Sequence, residues 1–289
     1  MLKKQSAHTA ALLSDIDCWE DLCASSFRNS FPHMMIPWNP QNADNEKKVI
    51  IMTFPSFKEL DAVGEAYAKN YIRRSYTYSS SAFDIDGFAR SLGFNVIYED
   101  FAETDRNKNG FCADGITPLH ILKDGKPVSI VFPKKTIVLE RYLLRKGEEK
   151  RRRFALAHEI GHPLLDKMTG RVTKSCFHSE FDMDQTLTMD SIQRLFSMNE
   201  VCTSRLGAAI LMPRFMVVEL LKKHNDGKPL RCYDGNVFAS EDRKKALQMA
   251  DCLVVSFAAF VNRLRELNLL DYHPIEEYIA ESIKQGESI

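Results

Sequence analysis

One pentapeptide limits this chain more than any other feature: His158-Glu159-Ile160-Gly161-His162. It lies inside a stretch, 147–168, that reads as a single helix. Residues four apart on a helix share a face, one turn apart. His158 and His162 can therefore offer imidazole nitrogens to one metal ion, and Glu159 can reach a water held beside it. Two ligands and a general base on one helix form the arrangement of a zinc hydrolase. The flanks Phe154-Ala155-Leu156-Ala157 and Leu164-Leu165 are apolar, so the helix is expected to be largely buried. Two buried imidazoles one turn apart need partners, and a shared metal is the usual one. Pro163 removes the amide that would bond the Glu159 carbonyl, which predicts a kink just past the motif.

Two histidines leave zinc short. A catalytic site takes three protein ligands and keeps a position for water, so a His, Glu or Asp from a later segment is required. Asn199-Glu200-Val201-Cys202 opens a helix of small residues that runs to Met212-Pro213. Gly207, Ala208 and Ala209 let that helix pack closely on the motif helix, and Glu200 at its start can point at the metal. Cys202 is two residues away, a spacing that points elsewhere on a helix, and reads as a buried small side chain. His120, His178, Tyr142 and Arg205 are weaker candidates for orienting substrate or steadying an oxyanion.

Upstream, Ser56-Phe57-Lys58-Glu59 has the form of a capping box and opens a helix to about Arg74. A short helix follows over 85–92, closed by Gly93. Strands are expected at 95–98, 116–122, 128–132 and 136–140, with Lys123-Asp124-Gly125-Lys126 as a hairpin turn. The last of these, 136–140, is the candidate edge strand for a substrate backbone. The charged run 146–153 reads as the solvated start of the motif helix. The polar stretch 170–190 reads as a long loop.

The chain has 289 residues, room for one large domain or two modest ones. Apolar residues make up 44%, and 39 basic residues balance 39 acidic ones, which argues against a protein that grips nucleic acid by its phosphates. The seven cysteines are odd in number and form no C-x-x-C, so reduced thiols in a cytoplasm are expected rather than a disulfide framework. No apolar run suits a signal peptide, and the longest, near 252–261, is too short to span a bilayer. A soluble, cytoplasmic protein with no membrane partner is therefore expected. The organisation reads as an N-terminal extension (1–50), a zincin-like domain with a small antiparallel sheet (51–225), and a helical C-terminal segment (226–289); the class is α+β.

The segments Arg153-Phe154-Ala155-Leu156-Ala157-His158-Glu159-Ile160-Gly161-His162 and Glu200 through Leu211-Met212-Pro213 resemble the ImmA/IrrE family of metallopeptidases. The likeness covers about 56–220, including Phe83-Asp84-Ile85-Asp86 to Gly93-Phe94 and Asp114-Gly115. It implies Zn2+ held by His158, His162 and Glu200, with Glu159 as the catalytic base. Ser204 and Leu206 stand where the family has Asn and an aromatic residue, and Thr203 and Gly207 where it has alanines. These departures bear on pocket shape and substrate choice. The family often acts on a helix-turn-helix repressor of a mobile element or stress regulon, so the resemblance implies a protein substrate of that kind.

Within 241–270, the order helix, Val255-Ser256, helix is similar to a helix-turn-helix, but Asp251, Glu266 and Asp271 give it no basic face. A packing or protein-contact role is favoured over direct nucleic-acid binding. The leading expectation is a zinc endopeptidase of narrow specificity. Its alternatives are a protein that sequesters a repressor without cutting it, a DNA-binding regulator, and the toxin half of a toxin–antitoxin pair.

Overall fold

The computed structural model describes residues 54–75, 82–102, 108–170, 178–179, 198–234 and 237–285. The N-terminal extension 1–50, the connection after Ser75 and nearly all of the 170–190 loop lie outside the described residues. Residues 56–289 form one compact unit of mixed helix and sheet, an α+β arrangement.

Helix α1 (Phe57–Ser75) begins as its sequence dictates. Glu59 Oε2 accepts from the Ser56 amide at 2.7 Å, and Ser56 Oγ accepts from the Glu59 amide at 3.3 Å, closing a reciprocal capping box. Helix α2 (Ile85–Ser91) is capped by Asp84, whose side chain accepts from the Gly87 amide at 2.9 Å.

Four strands form the main sheet: β1 (Asn95–Glu99), β2 (Lys108–Cys112), β5 (Thr136–Glu140) and the two-residue β6 (His178–Ser179), in the order β1-β5-β2-β6. The β1–β5 pair is parallel and the other two are antiparallel, so the sheet is mixed rather than antiparallel. A separate hairpin, β3 (Pro118–Lys123) with β4 (Lys126–Val131), turns through Asp124 and Gly125, both at positive φ. Strand β5 is not the expected edge: it lies between β1 and β2, with Thr136 to Leu139 buried. Its unbroken Ile137-Val138-Leu139 is the mark of a strand covered on both faces. Phe111 and Val138 pack with Leu119 and Ile121 of the hairpin on one face. The other face meets helix α3 (Glu149–Thr169), which runs across Pro163 as one helix.

The charged run 146–153 is solvated over its first part, where Lys146, Glu149 and Arg151 are exposed, but Arg152 and Arg153 turn inward. Arg152 donates to both oxygens of Asp86, at 2.7 and 3.0 Å, and to the Tyr98 hydroxyl at 3.0 Å. Arg153 is buried and donates to the carbonyls of Phe83 (2.7 Å) and Val254 (3.3 Å). A guanidinium carries five donors, and carbonyls at fixed positions let it leave water.

Helix α4 (Met198–Leu211) packs on both α1 and α3. It is followed by α5 (Arg214–Asn225). The C-terminal segment is not purely helical: β7 (Leu230–Tyr233) pairs in parallel with β8 (Leu270–His273) around the crossover helices α6 (Ser240–Leu253) and α7 (Phe257–Glu266). A parallel pair requires such a crossover. Val254 takes the left-handed conformation, Ser256 caps α7 by accepting from the Ala259 amide at 3.1 Å, and the two helices meet at 99°. The last helix is α8 (Ile275–Gln285). No single helix among the described residues is long and apolar enough to cross a membrane.

Candidate metal centre

Helices α3 and α4 meet where each lacks a side chain. A Cβ on Gly161 would lie 2.9 Å from the Thr203 carbonyl oxygen, and one on Gly207 would lie 3.0 Å from that of Ala157. One glycine from each helix thus opens the interface to backbone contact. This brings His158 and His162 on α3 against the first turns of α4.

The two imidazoles meet edge to face, with ring centres 4.8 Å apart and Nε2 atoms separated by 3.1 Å. Glu200 Oε2 lies 3.2 Å from His158 Nε2 and 3.8 Å from His162 Nε2. His162 is buried, and His158 and Glu200 are mostly so. One donor atom from each of the three lies within 4.8 Å of the others. Ligands about 2.0–2.1 Å from a tetrahedral zinc are separated by about 3.3 Å from one another. The three donors therefore fit that ion in both type and spacing, with three protein ligands as in catalytic sites.

Glu159 follows His158 on α3 and is 1% exposed. It turns toward β2, where a Cβ on Gly110 would come within 2.6 Å of its Cγ and 2.7 Å of its Cδ. Only a residue without a side chain lets the strand pass this carboxylate. Cys112, on the same face of β2, has its thiol pushed up by burial and by the negative charge of Glu159. Gly110, packed against Glu159, is a position that the sequence reading misses. Asn109-Gly110 carries the signature of a turn, yet it sits inside a strand. A glycine in a strand is itself a signal of close approach.

The weaker candidates separate. Cys202 is buried, its thiol pushed up to about 11 by burial, and it stands outside the donor group. His120 is exposed on the β3–β4 hairpin. The Tyr142 hydroxyl donates to Asn109 Oδ1, next to Gly110. His178 lies on β6 and pairs through its backbone with Gly110. Arg205 is tied to Asp61 at 2.5 Å, in a cluster with Arg263 and Glu266 that joins α1, α4 and α7. Among the described residues, Cys112, Cys202, Cys232 and Cys252 form no disulfide.

Set beside known proteins, the chain matches no family model and no curated protein.

Proposed function

We propose that this chain is a zinc-dependent endopeptidase of narrow specificity that acts in the cytoplasm. One observation carries the reading: two helices bring His158, His162 and Glu200 together, with buried Glu159 beside His158 on the same helix. A Zn2+ ion held by those three residues would supply Lewis acidity and a positive charge for the developing oxyanion. Glu159 takes a proton from the attacking water and delivers it to the amine nitrogen as the peptide C–N bond breaks. Packing against β2 holds that carboxylate in one orientation, which is what a proton relay requires.

The resemblance to the ImmA/IrrE family supplies the substrate class, a helix-turn-helix repressor. Direct DNA binding is the less favoured reading. Helices α6 and α7 cross at an angle found in helix-turn-helix units, but α7 buries Phe260, Val261, Arg263 and Leu264 and offers no basic reading face.

The test is cleavage of a helix-turn-helix repressor from the same genome, with zinc, by wild type and Glu159→Gln in parallel. A discrete cut by wild type alone supports the proposal, and Glu159→Gln is expected to lose roughly 10²–10⁴-fold in rate while keeping its metal. Equal cutting by the variant would refute the base assignment. No cut by either, with zinc bound and the repressor captured, would replace proteolysis with sequestration.

A further inference from the structure

The chemistry of the two histidines extends one layer outward. An imidazole that gives Nε2 to a metal carries its proton on Nδ1, and a buried Nδ1–H needs an acceptor that also fixes the ring. Both acceptors here come from consecutive residues on α4. Ser204 Oγ lies 3.1 Å from His158 Nδ1, and Thr203 Oγ1 lies 3.4 Å from His162 Nδ1. Both Nε2 atoms are thereby left facing each other and Glu200. Hydroxyl side chains are short, so they reach only because the helices touch. The Gly161 position abuts the Thr203 backbone and its Cγ2, and Gly207 abuts the turn that carries His158. One turn of α4 therefore carries a ligand, Glu200, and the acceptors for two ligands on the opposing helix.

We propose that Thr203 and Ser204 are positioning residues of the metal centre, which hold His162 and His158 in the tautomer and orientation that present both Nε2 atoms to one ion. The proposal rests on the zinc reading above. The donor group includes neither residue. Ser204 carries the larger share, because its contact is the shorter.

The test uses the full chain, stripped of metal and titrated with zinc against a chromophoric chelator, and with Co2+ as a spectroscopic probe. Ser204→Ala is expected to weaken zinc binding by roughly 10–100-fold and to change the visible Co2+ spectrum. Thr203→Val is expected to do the same to a smaller degree. Ser204→Thr and Thr203→Ser keep the hydroxyl and are expected to hold near wild-type affinity. Melting of the metal-free Ser204→Ala protein is expected to match that of wild type, which separates positioning from general packing. The proposal is overturned if Ser204→Ala and Thr203→Val bind zinc within twofold of wild type with an unchanged Co2+ spectrum. It is equally overturned if the hydroxyl-keeping variants lose as much as the deletions, since packing would then be the cause. A wild-type chain that takes up no zinc would remove the metal centre itself and the positioning role with it.

Discussion

Two helix pairs in this molecule bury polar groups, and they do so in opposite ways. In the C-terminal pair, α7 carries Arg263, which is 1% exposed, and the chain surrounds it with its own compensation. Asp61 lies 2.6 Å away, Glu266 2.9 Å away, and the Met212 carbonyl accepts from Nε at 3.0 Å. In the α3–α4 pair, three donors of the kind that ligate zinc face one another at 3.1, 3.2 and 3.8 Å. Arg263 is a charge answered by countercharges, which is how a fold stabilises a buried ion. The histidine–glutamate group instead sets three ligand-type atoms within 4.8 Å of one another, the spacing a shared ion would need. Burial alone does not separate the two pairs; what each buried group faces does.

Four substitutions sharpen that contrast. His162→Ala is expected to abolish stoichiometric zinc, read by elemental analysis of the purified protein; full retention would disprove the ligand assignment. Asp61→Ala leaves Arg263 and Arg205 without their shared carboxylate and is expected to cost about 3 kcal/mol of stability in denaturant unfolding. Zinc affinity should not change, since the cluster does not include a donor; a matching loss of zinc would erase the distinction between the two pairs. Gly110→Ala presses a methyl group on the Glu159 carboxylate and is expected to lower cleavage roughly 10–100-fold with metal content intact. A fully active Gly110→Ala enzyme would show that the β2 contact does not position the base. Ser56→Ala, at the exposed start of α1, removes one half of the capping box and is expected to cost about 1 kcal/mol with no effect on metal or rate.

Much of the site was legible because it rests on local spacing. His158, Glu159 and His162 share one helix, and the period of 3.6 places them without any knowledge of the fold. Glu200 was readable because the small residues after it mark a helix built for close packing. The capping box and the β3–β4 turn were legible for the same reason: their chemistry is complete within four residues. What failed depends on distant partners. Thr136 to Leu139 reads as a strand, but whether it is an edge depends on β1 and β2. Arg153 reads as solvated until the Phe83 and Val254 carbonyls are in place. Strands β7 and β8, Leu-Arg-Cys-Tyr and Leu-Asp-Tyr-His, are too short to show a period and are defined only by each other.

The glycine contact between α3 and α4 has a thermodynamic side. His162 and Glu200 belong to different helices, so the donor set exists only once Gly161 and Gly207 have let those helices close. In the proposed zinc form, the ion binds the folded chain and has no matching site in the unfolded one, so uptake and folding are linked equilibria. Free zinc at a hundred times its dissociation constant then adds about 2.7 kcal/mol to stability, and a chelator removes the same amount. The melting temperature of the chain becomes a readout of the metal available to it, whether or not a substrate is present.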